Sequence, residues 1–554
     1  MSGELVRLTI DGREAMVPRG TTILQAAESL GIYIPRYCYH PALRIVGSCR
    51  ICQVEVIGNP TPQISCFTQV AEGMDVLTDS PLVKRVRTAV MEFLLLNHPI
   101  DCPICDTSGE CDLQNFYMTD GKHRSRLRHH KINRTKRKRI GQNVVLDQER
   151  CILCSRCVRF LQEVVQTHEL GLFGRGAPER IDLVEGKSLD GNNYAGNIID
   201  LCPVGALTDD DFRFKFRVWD LSRAPSICPF CSAGCNIEVH FNTELCWKNN
   251  AMRIGRVKPR LNPHVNSYWM CDIGRYSFHY TEHPDRLKQP LVREGEQQTA
   301  HSWSAALALA AAKLKQAVAG GTGRLAAFPS LYMTVESAFL FRRLFSDQFN
   351  TARMGFQSGI GLTGGDGFLL RDDRNPNRLG LELVKMDRKG GEPRDELLER
   401  LPQSKFSAVV YVQELPERDP PAELAAALRG ATAALIVFAT NATPFTALAD
   451  IVFPICPWTE DHGTWVNWQG RAQWLTPALP PMGGAKPLAA ALAGLAPFFG
   501  LNFGQGAPDE LFDRMANEVP AFKGLTLPRL GGEGAGLPGF PASRLTTLTE
   551  TKER

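Results

Sequence analysis

The chain has 554 residues, 44% of them hydrophobic, and a formal net charge of +4. That length suits several domains with their own cores, and so small a charge excludes a protein defined by one strongly charged partner. Seventeen cysteines, fourteen of them before residue 236, exclude a small secreted disulfide scaffold and separate a ligand-rich part from a ligand-poor one.

The start, MSGELVRLTIDG, lacks the apolar core of a signal peptide and the Arg- and Ser-rich character of a transit peptide, so a cytoplasmic location is expected. LVRLTI, the turn Asp11-Gly12 and REAMV predict a hairpin. Thr21 or Thr22 then caps the helix ILQAAESL, which Gly31 ends. These are the ingredients of a β-grasp domain over 1–79. Within it lies Cys38-x10-Cys49-x2-Cys52-x13-Cys66. A long loop before a C-x-x-C and a distant fourth thiolate resembles a [2Fe–2S] ferredoxin site, where Gly47 and Ser48 let backbone N–H groups approach sulfur. Structural zinc is the competing reading, although zinc more often uses paired C-x-x-C.

Ser80-Pro81 opens a helix ending near His98, with Val83, Val86, Val90 and Leu94 on one face. It heads a second domain, 80–140, whose ligand candidates are His98-x3-Cys102-x2-Cys105-x5-Cys111. Taken alone, one His and three Cys fit zinc as well as iron. Residues 122 to 139, KHRSRLRHHKINRTKRKR, read as a solvated or partner-facing basic segment. Without aromatic residues among the charges, nucleic-acid binding is not expected.

A third domain, 141–218, begins with Cys151-x2-Cys154-x2-Cys157, the opening of a bacterial ferredoxin motif, but Leu161 stands where its next Cys belongs. Cys202-Pro203 is the end of a second such motif, whose other positions hold Asn192, Ala195 and Ile198. In two-cluster ferredoxins the Cys before Pro serves the opposite cluster. Cys202 therefore completes the set of Cys151, Cys154 and Cys157 for one [4Fe–4S] cluster, and this pulls the neighbouring sets toward iron.

From about residue 220 the texture becomes α/β. Domain 219–285 carries Cys228-x2-Cys231-x3-Cys235 and Cys271, a further [4Fe–4S] set for which Cys246 is a rival last ligand. Cys246 and Cys456 otherwise read as small buried hydrophobes. An α/β module over 286–523 includes the strand AALIVFAT and, from Pro487, a buried helix interrupted by Pro497 rather than a membrane span. GIGLTG, with Gly359, Gly361 and Gly364, matches G-x-G-x-x-G, but no convincing strand precedes it and RDDRNPN replaces the helix. It is read as a loop, leaving no nucleotide site. Residues 524–554 read as an extended tail.

HPIDCPICDTSGECDLQ, RCILCSRCVRF, LCPVGAL and CPFCSAGC, in this order, resemble the large iron–sulfur subunit of respiratory complex I, the proton-translocating NADH:quinone oxidoreductase. Residues 440–474 resemble the molybdopterin oxidoreductase fold. The resemblance implies one [2Fe–2S] and three [4Fe–4S] clusters, and single electrons passing from the binuclear site to the Cys151 set and then to the His98 set. The fourth cluster lies off that path. It also implies a flavin-bearing NADH-oxidising subunit with its small [2Fe–2S] partner and hydrophilic quinone-arm subunits as neighbours, with the membrane arm reached indirectly. The implied place is the cytoplasmic face of the bacterial inner membrane. No catalytic side chain, flavin or NAD is expected on this chain. Molybdenum is not expected either, because no cysteine lies between Cys271 and Cys456, Ile273 replaces a Lys common after the last cluster Cys, and the module is short. The alternatives are the same wire in a soluble NAD-linked hydrogenase or formate dehydrogenase, and a zinc-stapled scaffold.

Overall fold

The computed structural model describes residues 4–319, 324–349, 353–356, 364–386, 392–393, 406–416 and 420–540. The chain divides into two compact units, Met1–Leu221 and Ser222–Arg554.

In the first unit, β1 (Leu5–Ile10) and β2 (Arg13–Pro18) form the expected antiparallel hairpin. Asp11 and Gly12 turn it at positive φ, 48° and 76°. Thr22 caps α1 (Ile23–Ser29) in a reciprocal pair: its hydroxyl accepts from the Gln25 N–H, and the Gln25 side chain accepts from the Thr22 N–H. Strands β3 (Gln53–Val56), β4 (Gln63–Ile64) and β5 (Met74–Leu77) complete a sheet of order β2-β1-β5-β3-β4, with β1 and β5 parallel. Ile23, Leu24, Ala26 and Ala27 of α1 share one core with Val6, Leu8, Val54 and Val76 of the sheet. This is the β-grasp arrangement.

Helix α2 (Pro81–Leu95) starts on the Ser80 hydroxyl and stops three residues before His98. It buries Val83, Arg87 and Met91, so the inward face lies about a residue away from the predicted apolar stripe. Helix α3 (Asp112–Asp120) packs against it. Beyond them come β6 (Lys138–Arg139), β7 (Val144–Leu146), α4 (Arg156–Arg159), the hairpin of β8 (Leu170–Phe173) and β9 (Arg180–Leu183), α5 (Asn197–Leu201) and β10 (Leu207–Asp209). Strands β10, β7 and β6 form one small sheet, which brings the Cys202 loop back onto the start of the Cys151 loop.

The second unit opens with an antiparallel sheet of β11 (Ser222–Ile227), β12 (Asn236–Phe241) and β13 (Ile254–Pro259), followed by α6 (Asp272–Tyr276). Its main body contains β14 (Leu291–Glu294), β15 (Gln297–Ala300), α7 (Trp303–Ala319), β16 (Leu325–Phe328), α8 (Val335–Phe341), β17 (Arg353–Phe356), α9 (Arg378–Leu383), β18 (Glu392–Pro393), β19 (Phe406–Gln413), α10 (Ala422–Ala431), β20 (Thr432–Ala439) and β21 (Ile451–Pro454). The strands make an eight-stranded sheet of order β15-β14-β21-β20-β19-β16-β17-β18, parallel from β21 to β18. The chain runs outward one way from β16 and then the other way from β19. The crevice between their carboxyl ends is therefore the topological switch point.

Strands β22 (Gly463–Val466) and β23 (Arg471–Leu475) and helices α11 (Leu488–Leu495) and α12 (Pro508–Glu518) cover this body. The segment expected as a tail from 524 folds back as far as Phe540: α13 (Leu527–Leu530) and β24 (Ala535–Gly536) pack and pair with β23. Leu525, Leu530 and Leu537 are buried in the main core, which offsets the flexibility of the glycines between them. Strand β17 stands just before GIGLTG, where the sequence shows no convincing strand. Gly359 and Gly361 lie outside the described residues, so that reading goes no further.

Candidate iron–sulfur centres

The structure gathers the first set. Cys38 lies within hydrogen-bond reach of the thiols of Cys49 and Cys66, and Cys52 of that of Cys66. Donation from Cys49 and Cys66 pulls the Cys38 thiol far below its ordinary range, and donation from Cys66 pulls Cys52 down to about 7. Gly47 sits at φ 59° and Arg50 at 61°, left-handed turns that fold the loop around sulfur, and the Ser48 hydroxyl reaches Cys38.

Cys151, Cys154, Cys157 and Cys202 line one small enclosed space with Leu146, Val204 and Leu207. Leu153 and Ser155, both non-glycine residues at positive φ (56° and 58°), wind the C-x-x-C-x-x-C loop tightly enough for the Leu153 N–H to point at Cys151 Sγ, 3.4 Å away. Backbone N–H groups of Val204, Ala206 and Leu207 face Cys202. Burial pushes the Cys151 and Cys202 thiols up to about 12 and Cys157 well above its ordinary range. Four buried thiols with N–H groups aimed at them fit a cluster whose iron supplies the missing positive charge.

Two arginines tie these sets together. Arg156 donates to Tyr39 O at 2.7 Å and to Leu201 O at 3.3 Å, and Arg159 donates to the carbonyls of Cys38 and Cys154. Neither was singled out from the sequence, where both look like charges on a helix.

In the second set, His98 is half-buried and its Nδ1 is fully buried with no hydrogen-bond partner. Burial pulls the ring down to about 4, so it is neutral at pH 7 with a lone pair left over. An orphaned imidazole nitrogen beside Cys102 and Cys111 on the wall of one open cleft of about 940 Å³ fits a metal ligand. Cys105 faces Gly205, where a Cβ would come within 2.2 Å of its Sγ. The glycine of LCPVGAL is thus required by the Cys105 sulfur. Asp101 and Arg150, which precede Cys102 and Cys151, form a buried ion pair at 2.8 Å.

The basic segment differs from its expected role. Lys122 and Arg126 pair with Glu92 of α2, and Lys131 donates to the last α2 carbonyls, Leu95 O at 2.5 Å and Leu96 O at 3.2 Å. Lys136 reaches Asp101 and Glu149, Lys138 pairs with Asp182, and Arg139 with Asp210. Acidic partners scattered in sequence make it a strap across its own unit, and they could not be read from the run itself.

The fourth set lies wholly in the second unit. Cys228, Cys231, Cys235 and Cys271 are all buried, and each feels the charge of others in the set. At Gly274 a Cβ would meet Cys228 Sγ at 2.7 Å, and the Gly274 N–H points at Cys271 Sγ, 3.5 Å away. Cys246 stands apart in a short 3₁₀ turn and is only partly buried, so Cys271 is the member the fold supplies and Cys246 is not a core hydrophobe. RDDRNPN proves to be a cover for this set: the Arg371 N–H faces Cys231, and Ser232 donates to Asp373 O at 2.8 Å.

Among the described residues, no three His, Cys, Asp or Glu side chains converge as ligands of a single metal ion would. Thiolates bonded to different irons of one cluster need no such convergence, whereas mononuclear zinc does.

Five family models match. "2Fe-2S iron-sulfur cluster binding domain" covers 3–81, "NADH-ubiquinone oxidoreductase-G iron-sulfur binding region" 87–126, and "NADH-quinone oxidoreductase subunit 3, ferredoxin-like domain" 141–208. "Molybdopterin oxidoreductase Fe4S4 domain" covers 221–283 and "Molybdopterin oxidoreductase" 382–496. The chain is thus an iron–sulfur protein with both [2Fe–2S] and [4Fe–4S] binding domains, joined to a molybdopterin-oxidoreductase-type module. Its homologues are the G-type subunits of NADH-quinone oxidoreductase. That of Streptomyces coelicolor is 41% identical over 64% of this chain, and that of Rickettsia bellii 38% over 61%. The mitochondrial "NADH dehydrogenase [ubiquinone] iron-sulfur protein 1" of Solanum tuberosum is 41% identical over 56%. The matched span is only 41 to 48% of these relatives' own lengths. A chain from the crystal structure of an NAD+-reducing [NiFe]-hydrogenase is 32% identical over 38% of this chain and 91% of its own, with a TM-score of 0.35, too low to bear weight.

Proposed function

We propose that the chain is the electron-carrying subunit of a proton-translocating NADH:quinone oxidoreductase. It would receive single electrons from a flavin-bearing, NADH-oxidising subunit and its small [2Fe–2S] partner, and pass them to hydrophilic subunits of the quinone arm. The ligands are Cys38, Cys49, Cys52 and Cys66 for a [2Fe–2S] cluster, and three [4Fe–4S] sets: His98, Cys102, Cys105 and Cys111; Cys151, Cys154, Cys157 and Cys202; Cys228, Cys231, Cys235 and Cys271. The observation that carries this reading is the core of the first unit, where Cys38, Cys111 and Cys154 are buried together with Tyr37, Met91 and Val204. Three ligand sets around one dry core keep electron steps short and solvent out.

When bound, the clusters supply reversible one-electron chemistry. The protein's own residues do the rest. Backbone N–H groups aimed at sulfur favour the more negative state of each set, and the neutral His98 leaves its set one charge less negative than four thiolates would. Arg156 and Arg159 fix the loops of the first and third sets against each other. No side chain is required as acid, base or nucleophile. Among the described residues no helix is long and apolar enough to cross a membrane, which accords with a peripheral place on the cytoplasmic face of the inner membrane, its membrane arm reached through other subunits.

A pterin cofactor does not fit the described part of the second unit. The crevice at the β16/β19 switch point is closed by Tyr332, Glu414, Trp458, Asp461 and Trp465, leaving about 10 Å³. Its acids are pushed toward neutrality by burial, Glu414 up to about 8 and Asp461 to about 7. No cation lines it to receive a phosphate. We infer that this module is structural.

The test is iron and acid-labile sulfide per chain on anaerobically purified protein, with low-temperature EPR of the reduced sample. The expected count is about 14 iron atoms, with one binuclear signal among tetranuclear ones. Zinc in place of iron overturns the reading.

A further inference from the structure

Arg150 occupies a place that the ligand sets alone do not explain. It directly precedes Cys151, and its side chain belongs to the second set. Its Nε and Nη2 form a fork on Asp101, at 3.2 and 2.8 Å, and Asp101 directly precedes Cys102. Asp147 approaches the same Nε at 3.4 Å and accepts from the Arg150 N–H at 3.2 Å. The residue is 4% exposed. Its remaining nitrogen, Nη1, is buried with no acceptor in the chain. A guanidinium presents five donors and stays charged, so a buried one with an unused nitrogen implies an anionic acceptor that the polypeptide does not provide.

Two neighbours locate that acceptor. Beside burial, which opposes the Cys105 thiolate, the strongest influence on it is the favourable charge of Arg150. The Arg150 backbone also hydrogen-bonds the His98 ring, a contact that orients a ligating imidazole through the nitrogen not given to metal. One residue therefore touches the surroundings of His98, Cys102 and Cys105, while its peptide continues into the Cys151 loop. The local charges are Asp101, Asp147 and Glu149 against Arg150 and Lys136. Removing Arg150 leaves an unbalanced anion beside the cluster.

We propose that Arg150 is the positioning and potential-setting residue of the His98 cluster, holding its potential up and so favouring electron transfer onto it from the Cys151 cluster. This rests on the electron-transfer reading above. A fixed positive charge beside a cluster stabilises its reduced, more negative form, most strongly where water is excluded.

The experiment is an EPR-monitored redox titration of the purified full chain with Arg150→Gln, Arg150→Lys and Asp101→Asn. Arg150→Gln is expected to lower the midpoint of the His98 cluster by at least about 59 mV, a tenfold change in a one-electron equilibrium. Arg150→Lys, which keeps the charge, recovers most of it. Asp101→Asn moves the midpoint upward. The binuclear signal stays in place throughout. Unmoved midpoints in Arg150→Gln or in Asp101→Asn overturn the proposal. If Arg150→Gln loses the cluster, Asp101→Asn decides: an upward shift supports the electrostatic role, and none reduces Arg150 to a structural one. Absence of any tetranuclear signal in the unsubstituted chain sinks the electron-transfer reading itself, which keeps the two failures distinct.

Discussion

At the scale of single residues, the sulfurs dictate what stands next to them. Gly205 has no room for a Cβ because Cys105 Sγ occupies the space. Gly205→Ala is therefore expected to displace that ligand and cost about four irons per chain while sparing the binuclear signal, read by iron assay and EPR. Cys202→Ser should likewise remove one tetranuclear centre, whereas Cys246→Ser should leave the iron count unchanged. Loss of iron in the Cys246 variant would reassign the fourth set. The ligand candidates are legible in sequence because metal coordination fixes spacing along short loops. Asp101, Arg150, Arg156, Arg159 and Arg371 are not, because each is chosen by a neighbour far away in the chain, and an arginine before a cysteine looks the same whether it faces water or sulfur.

At the scale of elements, the segment from 122 to 139 shows why a charge run is hard to interpret. Its composition suggests solvent or a partner, yet Lys136, Lys138 and Arg139 are spent on Asp101, Glu149, Asp182 and Asp210. Replacing these three with Ala is expected to destabilise the first unit by roughly 1–3 kcal/mol, since each part-buried pair lies at or above the usual worth of a surface bridge. Replacing Arg124 and Arg128 should stay within about 0.5 kcal/mol. Thermal unfolding followed by loss of cluster absorbance separates the two. Equal effects would mean that the whole run acts as one charged surface. The hairpin at Asp11-Gly12 and the cap at Thr22 were readable because both depend on residues within three positions of each other. The fold-back of residues 524–540 onto β23 was not, since Gly- and Pro-rich composition conceals Leu525, Leu530 and Leu537, which anchor it.

At the scale of the whole molecule, the periodicity of the second unit announces α/β layering, but the strand order that makes the β16/β19 crevice comes from tertiary pairing alone. What fills that crevice has a thermodynamic consequence. Glu414 and Asp461 are buried, and desolvation raises them to about 8 and about 7, against ordinary unfolded values near 4. Below about pH 4 both acids are protonated whether the chain is folded or not, and their effect on stability is at its most favourable. As pH rises, the unfolded chain sheds these protons while the folded chain keeps them, so stability falls until the folded acids also ionise near pH 7 to 8. The second unit should therefore unfold at progressively lower temperature between pH 5 and 8, by on the order of 1 kcal/mol per pH unit for each acid. Glu414→Gln cannot titrate and should flatten its share of that slope, leaving a gentler decline that ends near the Asp461 value. Calorimetry of the full chain at fixed ionic strength across this range is the check. A variant as steep as the parent would mean that Glu414 is already ionised in the folded protein, which its unpartnered Oε2 and closed surroundings argue against.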